Sequence, residues 1–507
     1  MASPQTCPLN FIVVGGSIAG LVSAYQLAQN GHKVLILEKD PPSASRGGLR
    51  LPPNATRLLE TMPGVRELLR SKGTICRECV LFFTIYRTSF HVLGRLSYDP
   101  QCVTDLLGNF WTIPYDTLHD HLTQICRLAG VHIVYHVQVA SVIPGDRPVV
   151  VSAAGQSFSA DIVVGADGRF SVTRAYVNQD PEPIYADDED MEEDEDDGAS
   201  LYSAYRPRSS FPTIHATRGW TFCISRERMR SDPILDPLWQ NNLIGWPGTG
   251  MVVLGHPCGP DAFIMTAVRI CDPSEPLVDG HFQLNQPYED FNDYFKQFDP
   301  RLRRLAKMAH TVHTTTQTVP RFTRFADRNS RVVLIGDAAH GSPIHCTHHC
   351  ALAIEDAFTL ARIFAHITAR AHIPLFLHGY NQSRMARVAA VEASEFESIH
   401  QVMLPPGPQR ESRDASLAAT LLINEDEQMM SDEDFAAAWH TYARQLDFDA
   451  AEAAEGWWLN YGRYALEQEY GVPVEGEGVN GLPVQNGVGV NGGDLNAAQA
   501  RVVAQRA

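Results

Sequence analysis

The sequence predicts an α/β fold in which a parallel-sheet domain is interrupted by a β-rich domain and followed by a helical extension. Three observations predict it. Two apolar runs, Phe11–Val14 and Lys33–Leu37, flank a glycine-rich turn and a helical pattern, and such a βαβ opening builds a parallel sheet with its ligand at the carboxyl ends of the strands. Between about residues 201 and 320 the pattern changes to short β-rich stretches. The chain then returns through the apolar run Arg331–Ile335 into a helical pattern that reaches about Ile367.

Taken in order, the first helix is expected over Ile18–Gln29, closing at Gly31. From Arg50 to Lys72 apolar residues recur at helical spacing, and another helix is expected over Tyr115–Leu128. Strands are expected at Val131–Val139 and Asp161–Val164, then at Gly250–Gly255, Phe263–Ile270 and Thr314–Val319. Beyond Ser412 helical pieces return, with Trp457 and Trp458 as packing anchors, and 471–496, rich in Gly, Val and Asn, reads as a flexible tail. The expected domains are therefore 1–200 for the first part of the parallel-sheet domain, with an acidic loop at 180–197, and 201–320 for the β-rich domain. The return strand and long helix take 321–411, the helical extension 412–470 and the tail 471–507.

A chain of 507 residues with 44% hydrophobic content can bury a large core. No apolar run approaches the roughly 18 residues of a membrane span, no basic leader precedes Phe11, and Gln505-Arg506-Ala507 is no peroxisomal address. A cytoplasmic location is the expectation. Ten cysteines without regular spacing suit reduced thiols better than a disulfide framework. The net charge of −18 is concentrated: Asp187–Asp197 carries ten acids and no base, so −8 remains once those ten are set aside. No basic stripe is left to bind nucleic acid, and the acidic run reads as a solvated, self-repelling loop rather than a dock for a basic partner.

The first chemical motif is Gly15-Gly16-Ser17-Ile18-Ala19-Gly20, directly after a strand and opening a helix. Gly15 permits the tight turn, a small residue at 17 lets a pyrophosphate approach the backbone, and Gly20 allows close helix–sheet packing. Glu38, followed by Lys39, ends the second strand, where an acid can accept hydrogen bonds from a ribose. An ordinary strand-to-helix turn would leave Glu38 unexplained. The second motif is Val163-Val164-Gly165-Ala166-Asp167-Gly168-Arg169, continuing to Ser171 and Arg174; the third is Gly336-Asp337-Ala338-Ala339-His340, with Pro343 and then Ile354-Glu355-Asp356-Ala357.

In this order the three motifs resemble those of the class A flavoprotein monooxygenases, the family of para-hydroxybenzoate and salicylate hydroxylases. That family's pattern is GxGxxG, then GADG with Ser and Arg following, then GDAAH with a proline and an IEDA helix. The resemblance spans roughly residues 10–400. It implies a Rossmann-like FAD-binding domain with an interleaved β-rich substrate domain, as in para-hydroxybenzoate hydroxylase. It further implies FAD as cofactor, NADPH or NADH as co-substrate, and dioxygen and a small aromatic or electron-rich molecule as substrates. Gly15, Ser17, Ile18, Ala19, Gly20, Glu38 and Lys39 would hold the ADP half of FAD. Gly336 and Asp337 would meet the ribityl chain, and Asp167 and Gly168 would sit behind the cofactor, where they could also face NAD(P)H. The stretch Gly47-Gly48-Leu49-Arg50 before Pro53-Asn54-Ala55 would border the isoalloxazine, with Pro343, His348, His349 and Cys350 beside it. For Arg169, Arg174 and His340, structural ion pairing competes equally with ligand contact.

Two departures from the family stand out. Where the family carries an arginine at a helix start, in the pattern RxxL, this chain has Tyr115-Asp116-Thr117-Leu118, and tyrosine supplies no charge for the cofactor. Where the family has Gly-Gln-Gly beside the flavin, this chain has Thr347-His348-His349. The surrounding His345-Cys346-Thr347-His348-His349-Cys350 also admits a zinc reading or a histidyl or cysteinyl bond to flavin. Zinc, however, takes four ligands from separated pairs more readily than from one loop, so no metal is expected. Tyr115, His345 and His349 are the candidate acids or bases for phenol deprotonation. Trp220 and Phe222 fit either the wall of an aromatic pocket or, as the commoner case, core. Two rival readings keep the flavin: a protein of the same fold that has lost oxygenation and acts as a cyclase, isomerase or scaffold, and an oxidase or dehydrogenase that inserts no oxygen.

Overall fold

The computed structural model describes residues 7–41, 47–82, 92–97, 108–178, 216–240, 243–272, 298–318, 324–341, 346–419 and 445–471, with short pieces at 274–275, 283–284, 294–296 and 421. The acidic run, Pro343, His345 and the glycine-rich tail lie outside the described residues.

The chain opens with β1 (Asn10–Val14), α1 (Ile18–Gln29) and β2 (Lys33–Leu37), followed by β3 (Gly48–Leu51), α2 (Pro53–Glu60), α3 (Tyr115–Leu128), β4 (His132–Val134), β5 (Ile162–Gly165) and α4 (Val172–Val177). The antiparallel layer contains β6 (Ala216–Ser225), β7 (Met251–Cys258), β8 (Ala262–Ile270) and β9 (Thr311–Thr318). After it come β10 (Val332–Leu334), α5 (His349–Phe364) and α6 (Ile373–Val402). A five-stranded sheet has the order β10-β5-β1-β2-β4, and its neighbours are parallel. Phe11, Ile12, Val13 and Val14 are all buried, as a strand covered on both faces must be, which is why β1 reads as an unbroken apolar run. α1 and α5 pack together over this sheet and share one large core with it.

The second layer is an eight-stranded sheet running Gln283–Leu284, β9, β6, β8, β7, Leu243–Pro247, Glu78–Phe82 and Val92–Ser97. Its last two strands come from the first 100 residues, so β-rich structure is not confined to 201–320. Trp220 and Phe222 lie in the separate core of this layer, with Phe295, Phe298, Leu302 and Leu305; they are core and not pocket wall. The C-terminal helices Ala450–Trp457 and Arg463–Tyr470 dock back onto the first layer. Trp457 packs edge-on to Phe376, and a Cβ at Gly379 would stand 2.1 Å from its ring; Trp458 stacks on His366 at 4.5 Å.

Local chemistry explains the departures from the expected elements. The helical pattern from Arg50 to Lys72 splits into β3, α2 and a helix at Val65–Lys72. Pro63-Gly64 interrupts it, with Gly64 in the left-handed region at φ 73°. The run Val131–Val139 divides between β4 and a strand at Val139–Ile143, with His136 at φ 61° turning the chain between them.

Candidate active site

The carboxyl ends of β1, β2, β5 and β10 converge, and the three motifs meet there. Gly15 has φ 104°, and a Cβ on it would lie 2.4 Å from the Ala166 carbonyl oxygen; a Cβ on Gly20 would lie 2.1 Å from the Gly15 oxygen. Both positions therefore require glycine, one for its backbone conformation and both for close approach. Ser17, in place of a second glycine, caps α1: its Oγ accepts from the Gly20 N–H at 3.4 Å and donates to the Ala166 carbonyl at 3.3 Å. Ile18 and Ala19 are buried on the first turn of α1.

Glu38 closes this turn from the end of β2. Its Oε2 accepts from the Gly16 N–H and its Oε1 from the Asp40 N–H at 2.8 Å. A carboxylate offers about four acceptor sites, so two remain for ligand hydroxyls. Lys39 is exposed. From α3, His119 Nε2 donates to the Gly16 carbonyl at 2.8 Å. The sequence reading missed His119, although it lies one helical turn beyond Tyr115 and stacks on that ring with centroids 5.6 Å apart. The Tyr115 N–H donates to the Gly47 carbonyl at 2.9 Å, so the start of α3 sits against the Gly47-Gly48 turn. That turn meets the antiparallel layer: a Cβ on Gly48 would lie 2.6 Å from Cys258 Sγ, and one on Gly47 3.0 Å from Thr221 Cγ2.

Asp167 is committed internally. Its carboxylate accepts from the Ser171 and Thr173 hydroxyls, at 2.6 and 2.5 Å, and from the Val172 and Thr173 N–H groups, at 2.8 and 3.1 Å. These bonds fold the turn after β5 into α4 and leave Gly168, half-buried at φ 74°, with open space where a Cβ would stand. Arg174 reaches across to the Asp337 carbonyl at 3.1 Å and to the Arg169 carbonyl, which gives it a structural role.

The third motif rests on a buried ionic network. Asp356, fully buried on α5, accepts from the Gly336 N–H at 2.8 Å, pairs with His340 Nε2 at 2.7 Å and accepts from Arg384 Nε at 2.7 Å. Glu355 accepts from Arg384 at 2.9 Å, from Arg387 at 2.9 Å and from Asn54 at 2.7 Å. Burial alone would raise both carboxyls, but the facing cations outweigh it and hold Glu355 at about 2 and Asp356 below the usual carboxylate range. His340 is raised: burial opposes its charge, and Asp356 more than compensates. The network fixes Gly336, at φ 59°, and so aims Asp337. The Asp337 carboxylate lies 3.2 Å from His349 Nε2.

His348 is the N-cap of α5 but makes no side-chain bond to the helix; the His349 N–H donates to the Cys346 carbonyl at 3.5 Å, so the first-turn N–H groups left for an anion are those that follow His349. Instead, His348 Nδ1 and backbone N both meet Glu395 Oε1, at 2.7 and 3.0 Å. Arg50 Nη2 donates to the Cys346 carbonyl at 3.5 Å, tying β3 to this loop. Burial pushes the Cys350 thiol up to about 12 and the Cys346 thiol well above its ordinary range. Both stay protonated, which disfavours either as a thiolate ligand or as a nucleophile toward flavin. Among the described residues no group of three or more His, Cys, Asp or Glu side chains is arranged to hold a metal, and Cys346 and Cys350 are free thiols.

These residues fit FAD: the Gly15 and Gly20 cradle that any Cβ would fill, an acid closing the second strand, and a helix N-terminus facing the third motif. Residues 13–44 match the family model described as an NAD(P)-binding Rossmann-like domain, and residues 297–395 match the one described as an FAD binding domain. The chain is 24% identical over 437 residues to the FAD-dependent monooxygenase OpS4 of Beauveria bassiana, covering 85% of this chain and 92% of that relative. It is 24% identical over 405 residues to 3-hydroxybenzoate 6-hydroxylase 1 of Aquipseudomonas alcaligenes, covering 76% and 86%. A salicylate hydroxylase substrate complex shares the fold at 17% identity with a TM-score of 0.62, covering 88% of this chain and 97% of that one. No helix among the described residues is long and apolar enough to cross a membrane.

Proposed function

We propose that the chain, which resembles the class A, aromatic-hydroxylase-like FAD-dependent monooxygenases, inserts one oxygen atom of dioxygen into an aromatic or other electron-rich small molecule at the expense of NAD(P)H. The observation that carries the reading is the convergence of Gly15, Glu38, Gly168 and Asp337 at the strand ends, directly beneath the antiparallel layer that meets Gly47-Gly48. Gly15 to Gly20, with Glu38 at the ribose, hold the ADP half; Asp337 takes the ribityl hydroxyls in exchange for its contact with His349. Gly47, Gly48 and Arg50 border the ring, and the first turn of α5, with His348, His349 and Cys350, faces its pyrimidine edge through the N–H groups not already taken by Glu395 and the Cys346 carbonyl.

Bound FAD would carry electrons from nicotinamide to dioxygen and activate it for transfer of one of its oxygen atoms. The chain's own work is to orient the substrate ring against the antiparallel layer, to exclude water, and to move the substrate's proton. A fold-mate that has lost oxygenation is not favoured, since the matched relatives are named as monooxygenases and hydroxylases. The test is turnover of a panel of phenols and aromatic acids with NADPH or NADH. The proposal expects reductant oxidation and oxygen uptake coupled to an oxygenated product. Oxygen uptake that yields peroxide alone across the panel would make the protein an oxidase.

A further inference from the structure

We infer that His348, held by Glu395, is the proton acceptor of the reaction, and that the substrate therefore carries a weakly acidic hydroxyl, a phenol or an enol. The inference rests on the monooxygenase reading above. His348 is 4% exposed. Its Nδ1 lies 2.7 Å from Glu395 Oε1, and because a carboxylate only accepts, Nδ1 carries the proton and the ring's lone pair is left on Nε2. Nε2 is buried and meets no hydrogen-bond partner among the described residues. A buried polar atom without a partner is destabilising, and one placed beside a cofactor site is completed by a ligand.

The setting is the layer where a substrate has to lie. Two residues before His348, Cys346 packs on Val252 and Val268 of the antiparallel sheet and on Ile399 and Met403 at the end of α6. One residue after it, His349 reaches Asp337. His348 thus lies between the sheet and the turn that holds the cofactor. The titratable and charged groups around it are Glu395 and Glu392 from α6, Cys346 from its own loop, Arg50 from β3, and the His349–Asp337 pair. Burial raises Glu392, and the Cys346 thiol donates to Glu395, which leaves Glu395 as the carboxylate that orients the imidazole. Glu395 is a positioning residue; His348 touches the substrate.

In the step, the substrate O–H bond breaks, its electron pair stays on oxygen, and the proton bonds to Nε2. The imidazolium is stabilised by Glu395, and the ring bearing the oxyanion is the better nucleophile toward electrophilic oxygen. On release the proton returns to the product oxygen. Of the sequence candidates for this role, His345 lies outside the described residues, while His349 is engaged with Asp337 and Tyr115 stacks on His119.

The test uses the FAD-loaded protein as wild type, H348Q and E395Q. It measures kcat/KM against pH with 3-hydroxybenzoate as the first probe and then with the phenol that the turnover panel selects, and it reads histidine ring tautomers by 15N NMR. Expected is a loss of about 10²- to 10⁴-fold at neutral pH in H348Q, with FAD content retained and the deficit shrinking as pH rises and the phenol ionises unaided. That rescue is not produced by a merely structural role. E395Q should keep part of the activity and shift the acid limb of the profile. In the wild type, NMR should find the His348 proton on Nδ1. An Nε2–H tautomer, or a variant profile parallel to the wild type at every pH, overturns the inference alone. A flavin-loaded wild type that oxygenates no phenol overturns the monooxygenase reading and the inference with it, whatever the tautomer.

Discussion

Replacing Asp356 by alanine should unfold the third motif from beneath. Asp356 and its partners His340 and Arg384 are essentially inaccessible to solvent, and the carboxylate accepts from three donors: the Gly336 N–H, His340 and Arg384. Arg384 would keep Glu355 at 2.9 Å and the Leu352 carbonyl at 3.3 Å, but one arginine edge, one imidazole and one backbone N–H would lose their acceptor without water to replace it. Removing one member of a buried charge pair costs about 3–5 kcal/mol, and the pieces do not add because they share one network. Asp356→Asn keeps the volume and one acceptor oxygen but turns an amide donor toward either Arg384 or the Gly336–His340 pair, so an intermediate cost is expected. Urea unfolding of the apoprotein measures the cost directly. FAD titration measures its consequence, since the Gly336-Asp337 turn loses its anchor. A change below about 1 kcal/mol for the alanine variant, with normal FAD affinity, would refute the claim that this network aims Asp337.

Glu38→Ala and Asp337→Ala should each weaken FAD binding by about 1.5–3 kcal/mol, the value of a hydrogen bond to a charged group, and flavin occupancy equal to wild type in dilute folded protein would contradict either assignment. Gly15→Ala should abolish FAD retention, because its Cβ meets the Ala166 carbonyl at 2.4 Å in a backbone conformation disfavoured for L-residues; ultrafiltration followed by absorbance reads this. Apoprotein stability should fall between pH 6.5 and 4. Burial holds His32 and His256 at about 4 against an ordinary 6.5, so the unfolded chain binds more protons in that window, and stability present above 6.5 is lost as pH drops, by up to about 3 kcal/mol per histidine. The raised His340 acts with the opposite sign, its contribution being lost as pH rises through its folded value. Unfolding midpoints of wild type and His32→Gln across this range should converge toward pH 4; parallel curves would exclude His32. Deleting Asp187–Asp197 should leave flavin content and turnover nearly intact, and loss of either would contradict the solvated-loop reading.

The parts of the site legible in the sequence are those where a few adjacent residues dictate local backbone. Gly15 is fixed by its own backbone conformation, at φ 104°, and Gly20 by its close approach to the Gly15 oxygen within one strand–turn–helix, and the helix over Tyr115–Leu128 follows from its apolar spacing. Illegible were the partners brought in by tertiary packing. Glu395 lies 47 residues from His348, and Arg384 and Arg387 lie 28 to 32 residues from the carboxylates they neutralise; a charged residue on a 30-residue helix gives no sign of which turn faces a buried acid. The same limit hid Glu78–Phe82, whose place in the second sheet is set by parallel pairing with a strand more than 160 residues later, and Val92–Ser97, which joins the sheet through it. Asp167 was read toward the cofactor because its motif is, yet its four bonds turn inward; a motif states which backbone is required and not which way each side chain faces.

Isotope transfer reads oxygen insertion itself. The purified, flavin-loaded protein is given NADPH or NADH, a phenol from the turnover panel and 18O2 in ordinary water, and the product is weighed by mass spectrometry. One 18O atom per product molecule, with the second recovered in water, is the predicted result. A product that takes its oxygen from water, or 18O found only in peroxide, would contradict the account.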